Sequence, residues 1–282
     1  MYFKTSDGLR IYYEVSGTGK IPCLYLHGGP GYWSKSFQHF MSGPLKDKLQ
    51  MIYLDQRGCG RSEHSEEESY SLNRLINDIE ELRNHLEIEE WLIMGHSFGG
   101  IPAVNYAVQF PNRVTGIILA NATLNMFASF TQQMQVGSEI LGLEWTDINT
   151  DSLPEFMEAY YGILSKLIEQ EAYFKLQFVD IDKKKEMDAI DREGLDSDPA
   201  FQRFVFSSAE YFQDFTLLSK EIDKPVLVIS GKDDYAVGPA HYQSFKFREM
   251  DVQMLKSGHH PYVENSAAFQ KVIVDFAENR MK

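Results

Sequence analysis

The sequence predicts an α/β fold: a mostly parallel central sheet with helices on both faces, interrupted by one inserted helical lid. Three observations carry this expectation. Short apolar runs alternate with stretches of helical periodicity, as a parallel sheet covered on both faces requires. Glycine-rich loops follow the carboxyl ends of the apolar runs, where sheets of this kind bind ligands. A Gly-x-Ser-x-Gly pentapeptide, Gly95-His96-Ser97-Phe98-Gly99, joins an apolar run to a helix-like pattern.

In chain order, Leu9–Val15 is tyrosine-rich and β-branched and stops at the turn signal Ser16-Gly17-Thr18-Gly19. Ile21–Leu26 and Gln50–Leu54 are short apolar strands, each feeding a glycine-rich loop. Leu72, Leu75, Ile76, Ile79, Leu82 and Leu86 fall at helical spacing with a polar opposite face. Trp91–Met94 reads as a buried strand and Gly99–Ala107 as the start of a helix. Val114–Ala120, Pro225–Ser230 and Val252–Lys256 supply the later strands. Between about Ala122 and Ile222 the strand rhythm stops and helix formers dominate, with amphipathic candidates at Leu153–Glu171, Ala172–Asp191 and Pro199–Leu218. The charged run Asp180–Glu186 reads as a solvated helix face. The chain therefore divides into a core in two parts, 1–121 and 223–282, and a helical lid at 122–222. It shows no internal repeat and no low-complexity linker.

Composition narrows the function classes. With 282 residues, 43% of them hydrophobic, one large α/β domain with an insertion can bury its own core. A formal charge of −14 argues against a nucleic-acid groove or an anionic membrane surface. The two cysteines, Cys23 and Cys59, cannot staple a chain this long and read as buried free thiols. No run approaches the ~20 apolar residues of a membrane span. Met1–Gly8 lacks the apolar core of a signal peptide, so a soluble, cytoplasmic protein is expected. Cysteines and histidines show no metal-ligand spacing, and the glycine loops match neither a P-loop nor a Gly-x-Gly-x-x-Gly pattern. Neither metal nor cofactor is expected.

The pentapeptide suggests chemistry. Strand, Gly-Ser-Gly turn and helix make a nucleophile elbow, a turn too sharp for bulk on either side of the serine. Ser97 then projects at the sheet's carboxyl edge, at the amino end of a helix whose dipole favours developing negative charge. A serine nucleophile needs a base, and the base needs an anion to fix its tautomer. On such a sheet the order is serine, acid, histidine. After the strand ending at Ser230 come Asp233 and Asp234; the Gly-x-x-Asp spacing favours Asp234 as the acid and Asp233 as a turn cap. After the last strand come His259 and His260; His259, directly behind Gly258, is the expected base. An oxyanion hole needs two preorganised N–H donors. Phe98, next after the serine, offers one, and Gly29 in His27-Gly28-Gly29-Pro30-Gly31 offers the other. His27 and His96 read as histidines that brace these turns.

Together with Asp55-Gln56-Arg57-Gly58-Cys59-Gly60-Arg61-Ser62 and with Glu264 near His259, these motifs resemble the α/β-hydrolase superfamily, and within it the proline iminopeptidase (prolyl aminopeptidase) group of serine hydrolases. The resemblance covers residues 5–120 and 223–280. It implies an α/β-hydrolase fold, a triad of Ser97, Asp234 and His259, an oxyanion hole at Gly29 and Phe98, a supporting loop at Asp55–Ser62 and a structural role for Glu264. Two positions depart from the group. Phe98 stands where a tryptophan is usual, and His96 before the serine is more typical of esterases. An aminopeptidase must also hold a cationic amine with lid carboxylates. Glu210 in Ser208–Phe212 is similar to the group's acidic lid motif, and Asp214 and Glu139 are the other candidates.

The expected activity is two-step acyl transfer on a small-molecule or short-peptide substrate. Release of an amino-terminal residue, proline above all, leads; a carboxylesterase or lactonase acting on small acyl groups is the alternative. A non-enzymatic ligand receptor would have no need for serine, acid, histidine and oxyanion glycines together. The aromatic residues of the lid, between Phe127 and Phe212, are expected to pack its helices and in part to line an apolar pocket.

Overall fold

Leu92, Ile93 and Met94 are all fully buried, yet their side chains leave the strand on alternate sides. That pattern demands cover on both faces of the sheet, and the computed structural model, which describes residues 1–67, 69–148, 150 and 152–280, provides it. The strands are β1 (Tyr2–Lys4), β2 (Arg10–Ser16), β3 (Ile21–Leu26), β4 (Leu49–Leu54), β5 (Trp91–His96), β6 (Val114–Ala120), β7 (Val226–Gly231) and β8 (Met250–Leu255). They form one sheet in the order β1-β2-β4-β3-β5-β6-β7-β8. β1 and β2 are antiparallel to their neighbours, and the rest run parallel. The sequence pattern offers no strand before Leu9; β1 forms because Phe3, opposite Ile11, buries its ring in the core.

One face carries α2 (Leu72–His85) and α3 (Gly100–Gln109) over Leu24, Ile52, Ile93, Ile117 and Val228. The other carries α1 (Lys35–Leu45) and, from the carboxyl end of the chain, a helix at Ser266–Arg280 over Tyr25, Met51, Met94, Ile118 and Ile229. Each fully buried Leu, Ile or Met in these layers contributes on the order of 1.5–3 kcal/mol. α2 starts where Ser71 accepts the Arg74 N–H.

Between β6 and β7 lie α4 (Met126–Leu141), α5 (Leu153–Glu169), α6 (Ile181–Asp191) and α7 (Pro199–Ser207). Caps from Asn125, Ser152, Asp180 and Asp198 open them. Phe130 of α4 stacks on Tyr160 of α5 at 4.2 Å, so aromatic packing holds this layer together. The chain after β8 forms α8 (Pro261–Glu264) and then α9, the helix at Ser266–Arg280.

Two amphipathic spans are shorter than their periodicity suggests. Ala172–Asp191 is not one helix: a 3-10 turn at Tyr173–Leu176 ends in extended chain, and α6 begins only at Ile181. The N–H groups of Val179 and Asp180 donate to Glu264, at 2.8 and 3.0 Å, in place of helical carbonyls. Pro199–Leu218 likewise breaks after Ser207. There Tyr211 is drawn into the core and its hydroxyl donates to the Tyr70 carbonyl at 2.7 Å, while Asp214 caps a new 3-10 turn at Phe215–Glu221. Glu68, Asn149, Asp151, Met281 and Lys282, which the core and lid spans include, lie outside the described residues. Among the described residues no helix is long and apolar enough to cross a membrane. Cys23 and Cys59 are both buried and unpaired.

Candidate active site

The turn after β5 forces Ser97 to φ +54°, the left-handed region that a non-glycine residue avoids unless its surroundings hold it there. Close packing explains why both flanking positions are glycine. A Cβ on Gly95 would sit 2.5 Å from the Gly99 carbonyl oxygen, and one on Gly99 would sit 2.2 Å from that of Leu26. The Phe98 N–H lies in the first turn of the segment, where amides lack helical acceptors. Gly29, at φ +120°, follows β3 and is exposed beside Ser97 in the same cavities.

Both histidines of these turns act as braces. His27 donates from Nδ1 to the Gly28 carbonyl (2.8 Å) and accepts the Gln56 N–H at Nε2 (3.0 Å). His96 donates from Nε2 to the His259 carbonyl at 2.9 Å. The neighbouring Asp55 accepts the N–H and hydroxyl of Ser34 (2.8 and 2.6 Å) and the Arg61 guanidinium (2.7 Å). Despite burial, which raises its pKa, Arg61 holds the Asp55 carboxyl below its ordinary value.

After β7, Asp234 is 1% exposed, and its Oδ1 lies 3.0 Å from Nδ1 of His259, itself 4% exposed. Asp233 is not the turn cap expected from its position. The Ala236 and Val237 N–H groups donate to Asp234 Oδ1 at 3.0 and 3.1 Å, because the Asp234 carboxylate points back over its own turn. His260 lines the wide cavity but has no part in the pair: its Nδ1 is 3.1 Å from the Tyr262 hydroxyl, and its ring stacks on Phe178.

Two cavities meet at Ser97 and His259. The narrow one, about 100 Å³, runs among Met126, Phe130, Gln133, Tyr160, Phe206 and Val237. The wide one, about 660 Å³, is lined by Tyr161, Phe178, Lys184, Asp188 and Asp191 among others. Of the aromatics in segment 122–222, Phe130, Tyr160, Tyr173 and Phe206 line the narrow cavity and Tyr161 and Phe178 the wide one, whereas Phe127, Phe156 and Phe212 pack on one another.

Glu210 lines neither cavity. Tyr211 pins this turn against residue 70, so the Glu210 carboxylate accepts the Leu72 N–H at 3.2 Å, at the start of α2. Asp214 is a cap and Glu139 is exposed on α4. The carboxylates that do reach the site come from α6. Asp191 receives the Tyr32 hydroxyl (2.7 Å), the Ser36 hydroxyl (3.0 Å) and the Trp33 indole N–H (3.1 Å) on one oxygen. The charged run of α6 thus makes surface pairs such as Lys185–Asp182 and also turns Lys184 and Asp188 toward the cavity. Asn121 is a further residue the motifs do not single out. It takes φ +43°, donates to the Gly258 carbonyl (2.8 Å) and accepts the Gly231 N–H (2.7 Å), tying β6, β7 and the His259 loop together. Its position directly after a buried strand, at the sheet's carboxyl edge, is the only signal it gives.

Four histidines, His27, His96, His241 and His260, are held below their ordinary pKa by desolvation and set an acid limit on stability. Burial, reinforced by His259, pushes His96 from its ordinary 6.5 down to about 3. Burial pushes His241 down to about 4 although Asp234 and Asp214 oppose it, and its Nε2 accepts the Leu124 N–H. The unfolded chain protonates these groups first, so stability is complete above pH 6.5 and declines as pH falls toward 4 and then 3. For His241 the decline is on the order of 2–3 kcal/mol. Urea midpoints measured from pH 7 to pH 4 should fall, and His241→Gln should flatten the curve; an unchanged slope would remove His241 from this account.

Residues 22–266 match the family model described as alpha/beta hydrolase fold. The chain belongs to the alpha/beta hydrolase fold family. This alpha/beta hydrolase is accordingly a hydrolytic enzyme, and the proteins it is similar to include proline iminopeptidases and esterases. It is 26% identical over 279 residues to the proline iminopeptidase of Neisseria gonorrhoeae, covering 92% of this chain and 89% of that one. A crystal structure of a proline iminopeptidase-related protein from Thermus thermophilus superposes with a TM-score of 0.83 at 21% identity, covering 100% of this chain and 98% of the other. An esterase from Exiguobacterium antarcticum superposes with a TM-score of 0.73 at 18% identity, covering 99% of each chain.

Proposed function

We propose that the protein is a serine hydrolase that works by acyl transfer and releases the amino-terminal residue, proline first, from short peptides. The observation that carries this reading is the buried His259–Asp234 pair, 3.0 Å apart, on the wall of the cavity that holds the strained Ser97. Asp234 holds the His259 proton on Nδ1, which leaves the Nε2 lone pair for the Ser97 hydroxyl. As Ser97 attacks the substrate carbonyl, its proton passes to His259. The oxyanion rests against the Gly29 and Phe98 N–H groups. Collapse expels the amine or alcohol, which takes the proton from His259. Water, deprotonated by the same base, then cleaves the acyl-enzyme and restores Ser97. The helical segment 122–222 serves as the lid, and its Asp191 supplies negative charge for a substrate ammonium in the wide cavity, Asp188 being paired with Lys184. The site of action is cytoplasmic in this reading, in keeping with two buried cysteines that form no disulfide.

One observation favours a second reading, an esterase or lactonase. Among the described residues, none lining the narrow cavity carries a carboxylate. Its Gln133 is spent on both sides, accepting from the Tyr160 hydroxyl (2.9 Å) and donating to the Ala236 carbonyl (2.7 Å). That cavity suits a short neutral acyl group.

The purified protein, with Ser97→Ala as control, should be assayed side by side on a proline arylamide and a short-chain aryl ester. Arylamide turnover that vanishes when the amine is acylated is the expected result. Ester turnover alone moves the assignment to the second reading. Turnover unaffected by Ser97→Ala overturns both.

A further inference from the structure

The loop that carries His259 is held at every peptide group beside the base. The Gly258 carbonyl accepts from Asn121 and the His259 carbonyl from His96, both core residues. The two N–H groups go elsewhere. His259 N–H donates to the Gln177 carbonyl at 2.7 Å, in the helical segment between β6 and β7. Gly258 N–H donates to Glu264 Oε2 at 2.6 Å. The other oxygen of Glu264 accepts the N–H groups of Val179 and Asp180, at 2.8 and 3.0 Å, from that same segment. One carboxylate at the end of α8 therefore clasps the helical segment with one oxygen and the base loop with the other.

The residue between them fits this clasp. A Cβ on Gly258 would lie 2.5 Å from the Gln177 carbonyl oxygen and 3.0 Å from Glu264 Oε2, so a side chain there would force the two apart. The same clasp interrupts the helix expected over Ala172–Asp191, since the Gln177 carbonyl goes to the His259 N–H and the Val179 and Asp180 N–H groups go to Glu264. Phe178, in the middle of the stretch, stacks on His260 at 4.7 Å.

We infer that Glu264 is a positioning residue that couples docking of the 177–180 segment to the placement of His259. The inference rests on the proposed role of His259 as base. Glu264 lines neither cavity, so it acts through the loop and not on the substrate. When residues 177–180 are docked, the His259 backbone is fixed from both sides. When they lift away, the base loop loses the Gln177 bond and the Glu264 oxygen that was oriented by the Val179 and Asp180 amides. A small displacement of a reacting group can cost about 10²-fold in rate. The substrate-covering segment and the base are thereby linked, and the site is assembled only in its covered state.

The test uses the full-length protein and the variants Glu264→Gln and Glu264→Ala. Glutamine keeps one acceptor oxygen but turns an N–H donor toward the other partner, so it breaks one half of the clasp at nearly constant shape. The expected result is a kcat lowered about 10-fold in Glu264→Gln and about 10²-fold in Glu264→Ala, with KM within about threefold. Hydrogen exchange at the Val179, Asp180, Gly258 and His259 amides should accelerate together. Tyr106→Phe, which loses its bond to Glu80 far from the site, serves as a stability control and should keep kcat. The inference is overturned if both Glu264 variants keep kcat within twofold. It is equally overturned if their loss of kcat only tracks the loss of folded protein, or if the four amides do not respond together. Labelling of the wild type by a fluorophosphonate probe separates the two levels. An unlabelled Ser97 sinks the serine-hydrolase reading, while the exchange data still decide the coupling.

Discussion

Replacing Ser97 by alanine is expected to lower kcat by about 10⁴–10⁶-fold, with the thermal midpoint within a degree or two of wild type. The large loss follows because every step of the proposed cycle passes through the Ser97 oxygen. The small structural effect follows because alanine meets the same backbone conformation, φ +54°, that serine already tolerates. The residual rate should be that of substrate binding and oxyanion stabilisation alone. His259→Ala should cost about as much, and the double variant little more than either, because nucleophile and base act as a unit. Additive losses in that cycle would show that the two residues do not cooperate, and would send the search for the base elsewhere. Rates should be read by single turnover on the faster of the two assay substrates.

Asp234→Asn should lower kcat by about 10³–10⁴-fold while the fold survives. Asparagine retains an oxygen that can accept the Ala236 and Val237 N–H groups, so the turn after β7 keeps its cap. That same oxygen is the one that His259 Nδ1 faces, so the substitution keeps the contact and removes the negative charge that stabilises the imidazolium. A neutral amide oxygen holds the developing imidazolium far less well than a carboxylate does. Asp234→Ala removes tautomer control and cap together, and should be both inactive and destabilised by about 1–3 kcal/mol. A kcat for Asp234→Asn within tenfold of wild type would mean that Asp234 serves the turn and not the base. Asp233→Asn, at a residue with no part in the pair, should leave kcat unchanged.

Much of the arrangement is legible in the sequence. The apolar runs from Ile21 to Leu26, Trp91 to Met94 and Val114 to Ala120 lie within strands β3, β5 and β6, because strands buried on both faces must be continuously apolar. Gly95 and Gly99 mark the sharp turn, since no other residue fits where backbone atoms approach to 2.2–2.5 Å of the Cβ position. Chain order points to Asp234 and His259, and the structure brings the two within 3.0 Å of each other. Glu210 cannot be judged in this way. A carboxylate in an acidic chain has many places to point, and the burial of Tyr211 one residue away turns this one toward α2.

What the sequence by itself determined is therefore local: which segments are strands, which turns admit only glycine, and which residue types could carry acyl transfer. Those properties depend on contacts within a few residues or on periodic burial. Only the tertiary structure decided that Asp191 and not Glu210 reaches the cavity, that Asn121 ties two strand ends to the base loop, and that the helix expected over Ala172–Asp191 breaks at residues 177–180. In each case a backbone N–H or a carboxylate found its partner more than eighty residues away, as Val179 and Asp180 did in Glu264. Such a bond replaces a local one of similar strength, so no local pattern records the choice.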